Sequence, residues 1–314
     1  MIVTVTMNPA MDKTIFLQEL RTGQLNRIEK TVLDPGGKGI NVSKTIHVLG
    51  GETIATGFLA GSTGMRIEES LKKKGIRTDF IYVEGETRTN IKIIDREGTL
   101  TELNEQGPEI FQNEKNKLME KLCLLAGENT LFILAGSVPK GVDKTMYREI
   151  IEMVKKKGAK VFLDADGSLL EEGIKGIPDI IKPNQFELEQ YFAKTEPSIS
   201  KDILKMGICL QQKGIENVLI SRGKEGAVFL IKGQIVQAPA LKIKENSSVG
   251  AGDAMVAAFA YGLEKNMDQK KLISFAMAVS AGAVETQGTK PPEIDRVEQL
   301  MKQGKKSVQV LDKP

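Results

Sequence analysis

One local pattern occurs three times along the chain and constrains its fold more than any other feature. Each copy has an apolar residue, three polar residues ending in lysine, and a glycine, followed by a short run rich in β-branched and aromatic residues. Lysine suits the negative end of a helix dipole, and glycine adopts the left-handed conformation that ends a helix. The pattern predicts helix–glycine–strand units that feed a parallel sheet, hence an α/β protein. The copies are 71–75 before 80–83, 154–158 before 161–163, and 210–214 before 218–220.

The same criteria extend the prediction to the rest of the chain. Further buried strands are predicted at 2–6, 53–58, 131–135 and 180–181. Helices are predicted at 39–49, 65–74, 113–125, 143–157, 202–213, 253–264, 269–285 and 295–305.

Two stretches depart from this alternation of helices and strands, because extended segments follow one another with no helix between them. They are 13–20 with 26–33, and 87–95 with 99–104. Alternating polar and apolar residues from Asn90 to Ile93 indicate a sheet with one solvated face. We expect the two hairpins to combine into a lid over the carboxyl edge of the large sheet, where open α/β folds bind ligands. Ordinary edge hairpins are the alternative.

The composition excludes several classes of protein. The 314 residues carry a formal net charge of +3, with basic and acidic residues interspersed, unlike a nucleic-acid-binding or membrane-surface protein. Because no apolar run reaches the roughly 18 residues of a spanning helix and no basic leader precedes the first strand, we expect a cytoplasmic protein. The single histidine, His47, argues against a histidine triad and against a zinc site.

The stretch from Ser247 to Ala254 is the strongest candidate for chemistry. Gly250 and Gly252 leave backbone amides uncovered, and the apolar run behind them predicts a helix, whose N-terminus would bind an anion. A carboxylate here would repel that anion, but Asp253 makes sense as a base that deprotonates the group attacking the anion. The alternative is that Gly252 shapes a turn and Asp253 only caps the helix.

A second glycine loop spans residues 34–43. It lacks the Ser or Thr that follows the lysine of a Walker A loop, and it offers close backbone approach at Gly36 and Gly37, a cation at Lys38 and an amide at Asn41. This set suits a polyol that carries an anion; a plain turn into a helix is the alternative. Asp12, at the end of the first strand, could accept two sugar hydroxyls; a helix cap or a solvated turn is the alternative.

Two arginines, Arg27 and Arg88, lie in the two lid hairpins. Arginine is well suited to a fixed phosphate because its forked donors are permanently charged. Together with Lys38 they indicate a phosphate clamp on a substrate.

The second half of the chain offers a different pocket. Asn184 and Glu187 follow a strand and could orient a hydrated Mg²⁺, or form an N-cap with its capping-box partner. The glycines of 221–226 permit close approach of a nucleotide, and Ser137 is either a ligand hydroxyl or part of a turn.

These motifs, in this order, resemble the ribokinase-like sugar kinases, the carbohydrate kinase family of the minor phosphofructokinase. The resemblance covers essentially the whole chain. It is carried by Asn8-Pro9-Ala10-Met11-Asp12, Gly36-Gly37-Lys38-Gly39-Ile40-Asn41, Gly136-Ser137, Lys182-Pro183-Asn184-x-x-Glu187, Ser221-x-Gly223-x-x-Gly226 and Gly250-Ala251-Gly252-Asp253. Residues 6–9, 85–92 and 106–110 are similar to the branch of 1-phosphofructokinases and tagatose-6-phosphate kinases.

The resemblance implies a three-layer α/β/α fold with a mostly parallel sheet and a small β-sheet lid. It implies a core of residues 1–12, 36–85 and 106–314, and a lid of residues 13–35 and 86–105.

It also implies a role for each motif residue. Asp253 would be the general base, with the amides of Gly250, Ala251 and Gly252 as the anion hole. The substrate would be held by Asp12, Arg27, Gly36, Gly37, Lys38, Asn41, Arg88, Asn90 and Ser137. ATP and Mg²⁺ would be held by Lys182, Asn184, Glu187, Ser221, Gly223, Gly226, Gly250 and Gly252, with Glu187 at the metal.

The implied reaction is ATP-dependent phosphorylation of a ketohexose monophosphate, with D-fructose 1-phosphate giving fructose 1,6-bisphosphate as the first choice. Tagatose-6-phosphate kinase is the alternative, and a non-enzymatic sugar-phosphate or nucleotide sensor is the remote one. Exposed lid strands are the kind of edge that pairs with another subunit, which suggests a homodimer through the lid. We expect no nucleic-acid or membrane partner.

Overall fold

The computed structural model describes residues 1–247, 249–304 and 309–311. Within these residues eleven strands form a large sheet and four form a smaller one. The large sheet contains β1 (Ile2–Thr6), β4 (Thr53–Ala60), β5 (Arg77–Thr78), β6 (Ile81–Val83), β9 (Leu131–Ala135), β10 (Lys160–Asp164), β11 (Ile180–Ile181), β12 (Asn217–Ser221), β13 (Ala227–Ile231), β14 (Gln234–Ala238) and β15 (Gln309–Leu311). The small sheet contains β2 (Ala10–Phe16), β3 (Lys30–Gly36), β7 (Thr89–Ile94) and β8 (Leu100–Asn104).

Ten α-helices are present in the same residues. They are α1 (Lys38–Val48), α2 (Gly61–Lys73), α3 (Gln112–Leu125), α4 (Met146–Lys155), α5 (Gly167–Lys175), α6 (Gln185–Thr195), α7 (Ile203–Gln212), α8 (Ala251–Glu264), α9 (Gln269–Val284) and α10 (Ile294–Gly304). Lys305, at the end of the last predicted helix, lies outside the described residues.

The large sheet has the order β15-β14-β13-β12-β11-β10-β9-β1-β4-β5, and β6 also pairs with β4. Pairing is parallel from β12 to β5 and antiparallel from β12 to β15. Apolar side chains of α1, α8, α9 and α10 fill one face, and those of α3 to α7 fill the other. The expected three-layer α/β/α fold is confirmed. Among the described helices none is long and apolar enough to cross a membrane.

The helix–glycine–strand units form as predicted. Gly75, Gly158 and Gly214 follow α2, α4 and α7 with φ values of +81°, +81° and +103°. Such φ values are accessible to glycine without strain, and the chain leaves each helix and turns into the sheet at that point.

Part of the sheet was not anticipated. The strands β13 and β14 and the helix α5 were not predicted, although α5 ends with Lys175 and Gly176 before β11. β13 is a fully buried apolar run, and its hairpin turn uses Lys232 and Gly233, with φ values of 48° and 78°. A Lys-Gly turn is a weaker sequence signal than Asn-Gly, so the antiparallel extension of the sheet was missed.

The small sheet has the order β3-β2-β7-β8. The hairpins β2/β3 and β7/β8 are antiparallel, and β2 joins β7 in a parallel pair. The expectation that two distant hairpins combine into one sheet is confirmed.

Gly57 is a point where two strands approach too closely for a side chain. Its φ is +138°, and a Cβ there would overlap the carbonyl oxygen of Thr6 in β1. We expect Gly57→Ala to lower the free energy of unfolding by about 2–4 kcal/mol, measured by urea titration. The control is Gly50→Ala, whose φ is +81° but whose Cβ would meet no atom within 4 Å; it should cost about 1 kcal/mol. Equal losses in the two variants would contradict the account.

Candidate functional site

The carboxyl ends of the parallel strands meet along one edge of the large sheet. The chain leaves β1 toward β4 and later returns to the other side of β1 at β9. Ligands of open α/β sheets bind at such a switch point. The residues at or just beyond these strand ends are Asn8, Ser137, Asp164, Lys182 and Ser221.

The N-terminus of α8 lies at this edge. Gly250 is its N-cap, with a left-handed φ of 87°, and no side chain of the described residues caps the helix. The first helical hydrogen bond runs from the Ala254 amide to the Gly250 carbonyl, so the amides before it have no acceptor within the helix. The alternative that Asp253 caps the helix is therefore wrong. Ser248 of this loop lies outside the described residues.

Asp253 points instead to the glycine loop that begins α1. Its Oδ2 accepts a hydrogen bond of 2.8 Å from Asn41 Nδ2, and the residue is 8% exposed. Burial, and next the charge of Asp164, raise the pKa of Asp253 to about 6, against the lowering effects of Asn41, Lys38 and Lys182. A carboxylate with this pKa is ionised at neutral pH and is still a useful base.

Asp164 lies between two lysines. Its Oδ1 is 3.4 Å from Lys38 Nζ and 3.3 Å from Lys182 Nζ, and the residue is 2% exposed. Burial alone would raise the pKa of Asp164, but the two ammonium groups outweigh burial and lower it. Its Oδ2 has no hydrogen-bond partner among the described residues.

Sequence reasoning missed Asp164. The available signal was the one used for Asp12, namely a carboxylate at the carboxyl end of a buried strand. Lys182 was anticipated, and its Nζ would stand 3.2 Å from a Cβ at Gly252. A lysine can therefore approach the start of α8 because residue 252 is a glycine.

Asp12 lies where the lid meets the glycine loop. Its Oδ1 accepts from Asn90 Nδ2 and its Oδ2 from Lys92 Nζ, both at 3.1 Å. A Cβ at Gly36 would stand only 2.7 Å from the Asp12 carboxyl group. Lys92 was quoted in a motif but given no role by sequence reasoning, and it is 8% exposed.

A cavity of about 410 Å³ separates the lid from the core at this point. Asp12, Thr14 and Lys92 line it from the small sheet, and Val249 and Thr289 line it from the other side. The cavity therefore lies between a sugar-binding candidate and the loop that precedes α8.

Arg88 and Ser137 converge on Asn8. Arg88 donates to the Asn8 carbonyl oxygen from Nε (3.3 Å) and Nη2 (3.0 Å), and to the Glu105 carbonyl oxygen from Nη1. Asn8 Nδ2 lies 3.5 Å from Ser137 Oγ. Arg27 is exposed in the connection between β2 and β3, and the structure does not bring it to the cavity.

Asn184 and Glu187, which were expected to face a nucleotide, form a capping box at the start of α6. The Glu187 amide donates to Asn184 Oδ1 at 2.8 Å, and the Asn184 amide donates to Glu187 Oε2 at 2.9 Å. The capping alternative is confirmed, and Glu187 Oε1 takes no part in the box. Burial raises the pKa of Glu187. In the part of the chain described here, no group of three or more acidic, His or Cys side chains could hold a metal alone.

The other expected nucleotide loop lies beside this box. A β-bridge joins Asn184 to Ser221. Gly223 begins a short 3-10 turn, and Gly226 ends it with φ +93°. A Cβ at Gly226 would overlap the carbonyl oxygen of Ala238, so the glycine is required by packing as well.

Comparison with known proteins agrees with this geometry. Residues 5–296 match the pfkB family carbohydrate kinase. The chain is 38% identical over 283 residues to a 1-phosphofructokinase of Borreliella burgdorferi, covering 90% of each chain. It is 32% identical over 308 residues to a tagatose-6-phosphate kinase of Staphylococcus epidermidis, covering 96% of this chain and 98% of the relative.

A solved structure shows the same fold. The phosphofructokinase-2 of Escherichia coli, in complex with substrates and products, superposes with a TM-score of 0.89 at 25% identity, covering 96% of this chain and 99% of that one. The family expected from the motifs is confirmed: the chain belongs to the pfkB family of carbohydrate kinases.

Proposed function

We propose that the protein transfers the γ-phosphoryl group of ATP to a ketohexose monophosphate, with D-fructose 1-phosphate as substrate and fructose 1,6-bisphosphate as product. The observation that carries the proposal is the hydrogen bond between Asn41 and Asp253. It joins the sugar-binding candidate loop to a base whose pKa is raised to about 6, at the N-terminus of a helix. The 1-phosphofructokinase relative supports the choice of sugar.

The geometry suits a direct transfer. Asp253 takes the proton of the C6 hydroxyl, whose oxygen forms a bond to the γ-phosphorus while the bond from that phosphorus to the β-γ bridging oxygen breaks and ADP leaves. The amides of Gly250, Ala251 and Gly252 stabilise the charge on the transferred group. Positioning and electrostatics then supply most of the catalysis.

The positive charges near Asp253 suit a polyphosphate. Lys38 and Lys182 are held at the same edge by Asp164, and Ser221, Gly223 and Gly226 would lie along the nucleotide. Glu187 and Asp164 would hold a hydrated Mg²⁺, which would supply positive charge against the phosphates. Glu187 Oε1, which the capping box does not use, and Asp164 Oδ2, which has no hydrogen-bond partner among the described residues, are oxygen ligands that suit it.

The sugar and its phosphate would lie between the lid and the glycine loop. Asp12, Gly36, Gly37, Asn41, Asn90 and Ser137 would hold the sugar, and Lys38, Arg88 and Arg27 its phosphate. Arg88 uses three of its five N–H donors on carbonyl oxygens, which leaves two for a phosphate. Arg27 would need the lid to move. We take residues 13–35 and 86–105 as that lid, and the rest of the chain as the core.

The lid also supports a homodimer. Leu33 and Leu103 are 51% and 55% exposed. Both side chains lie on the lid face opposite Asp12, since the strand register places them in the row of Lys13 and Ile91. The row is apolar apart from Lys13, and exposed apolar side chains on a sheet favour association with a second copy.

The function is tested by initial rates of ADP formation with fructose 1-phosphate, fructose 6-phosphate, tagatose 6-phosphate and ribose. We expect the highest kcat/KM for fructose 1-phosphate and the lowest for ribose. A preference for tagatose 6-phosphate would favour the alternative that the Staphylococcus epidermidis relative supports. A protein that binds these ligands without turnover would be a sensor.

Asp253→Asn removes the base and keeps the shape of the side chain. We expect kcat to fall by about 10²–10⁴ with a modest change in KM, measured by coupled assay. Asp268→Asn is the control, because Asp268 caps α9 through the Lys271 amide and asparagine caps equally well. Near-wild-type turnover of Asp253→Asn would show that Asp253 is not the base.

Arg88→Ala tests the phosphate clamp. We expect KM for the sugar phosphate to rise about tenfold or more, because a charge-assisted bond is lost, with KM for ATP unchanged. The control is Arg96→Ala, a lid arginine that pairs with Glu29 at 3.4 Å. Equal increases in both KM values for Arg88→Ala would show that the clamp assignment is wrong.

The dimer is tested by the double variant Leu33→Glu, Leu103→Glu. A charge at each position opposes burial of the apolar row, so we expect a monomer by light scattering where the wild type is a dimer. Leu124→Glu, at a leucine on α3 that is 85% exposed, should leave the dimer intact. A monomeric wild type, or an unchanged double variant, would contradict the lid interface.

A further inference from the structure

Four distant parts of the chain meet at Asp34, in the lid strand β3. Asp34 Oδ2 accepts from Lys44 Nζ of α1 at 2.6 Å and from Thr289 Oγ1 at 3.2 Å. Lys74, just after α2, approaches Oδ1 at 3.8 Å. We call Asp34, Lys44 and Thr289 the Asp34 junction.

The junction is built on a buried charge. Lys44 is 2% exposed, and its ammonium group also donates to the Pro35 carbonyl oxygen at 2.8 Å. Burial lowers the pKa of Lys44, and the carboxylate of Asp34 opposes that shift. Breaking a buried ion pair by removing one partner is costly, so Lys44 holds Asp34 firmly against α1.

Thr289, the third residue of the Asp34 junction, contacts the loop that precedes α8. Thr289 Cα stands 3.3 Å from the position that a Cβ of Gly250 would occupy, so Thr289 packs directly on the left-handed N-cap of α8. One hydroxyl therefore connects the lid strand to the residue that starts the anion hole. On the other side of the Asp34 junction, β3 continues through Pro35 to Gly36, and Gly37 follows it. These two glycines are the ones proposed to hold the sugar.

We infer that Asp34 and Thr289 are positioning residues that couple the sugar-binding lid to the anion loop at Gly250. The inference rests on the proposed roles of the lid and of residues 250–252. A sugar phosphate that changes the position of β3 moves Asp34, and the Thr289 hydroxyl carries that change to the amides that receive the phosphoryl group. Neither residue needs to touch a substrate.

The test compares Thr289→Val, which removes the hydroxyl and keeps the shape, with Thr31→Val, which removes an exposed hydroxyl from the outer face of the same lid strand. We expect Thr289→Val to lower kcat about tenfold or more, the scale of a small misplacement of reacting groups, with little change in KM. Thr31→Val should stay within about twofold of wild type. Equal kcat values in the two variants would overturn the inference.

A double-mutant cycle separates coupling from general damage. Asp34→Ala and Thr289→Val each break the same link, so the double variant should be no slower than the slower single variant, whereas independent effects would multiply. Multiplied effects would overturn the inference. Should Asp34→Ala unfold because Lys44 loses its partner, Asp34→Ala with Lys44→Met removes both charges and replaces it in the cycle.

Binding provides a readout that a purely structural role would not change. In the wild type we expect fructose 1-phosphate to tighten binding of the β,γ-imido analogue of ATP by about fivefold or more. In Thr289→Val that enhancement should disappear while the affinity for the analogue alone is unchanged. An undiminished enhancement would contradict the coupling. A wild type that phosphorylates no ketohexose phosphate would instead contradict the proposed function.

Discussion

The site depends on one arrangement of buried charge. Asp164 holds Lys38 and Lys182 on either side of its carboxylate, and Asp253 lies close enough for the charge of Asp164 to raise its pKa. In a buried site such charges interact more strongly than in water. In the proposed reaction, the two lysines held by Asp164 would supply positive charge for phosphates, while Asp253 would be basic enough to accept a proton.

The fold explains why these groups can meet. Lys38 follows the glycine loop, Asp164 ends β10, Lys182 follows β11, and Asp253 lies in the first turn of α8. Parallel strands bring their carboxyl ends to one edge, and α1 and α8 pack on the same face of the sheet. The small sheet adds Asp12, Asn90 and Lys92, and Asp12 and Lys92 line the cavity that separates this sheet from Val249 and Thr289.

The sequence predicted the parts of this structure that have a local cause. Glycines with positive φ after lysine-rich helix ends predicted three strands correctly, and alternation in 90–93 predicted a strand of a small sheet. The exposed face of that sheet is not the polar one: Lys92 is 8% exposed and lines the cavity, whereas Leu33 and Leu103 on the apolar face are 51% and 55% exposed. β13 was missed because a uniformly apolar run has no distinctive period. β14 was missed because the Lys-Gly turn before it is a weak hairpin signal. Asp164 was missed because its role depends on two lysines 126 and 18 residues away. The role of Asn184 and Glu187 could not be decided from the sequence, since their spacing fits a capping box as well as a metal site.

The central claim is that burial and charge make Asp253 a base. Difference infrared spectroscopy of wild type against Asp253→Asn, recorded across a pH titration, follows the carboxyl band of this residue directly. We expect the Asp253 carboxyl group to titrate at a pKa of about 6. Since the pKa is raised, the carboxylate form should be lost as the pH falls through that value. Titration near the ordinary value of 3.8 would contradict the account.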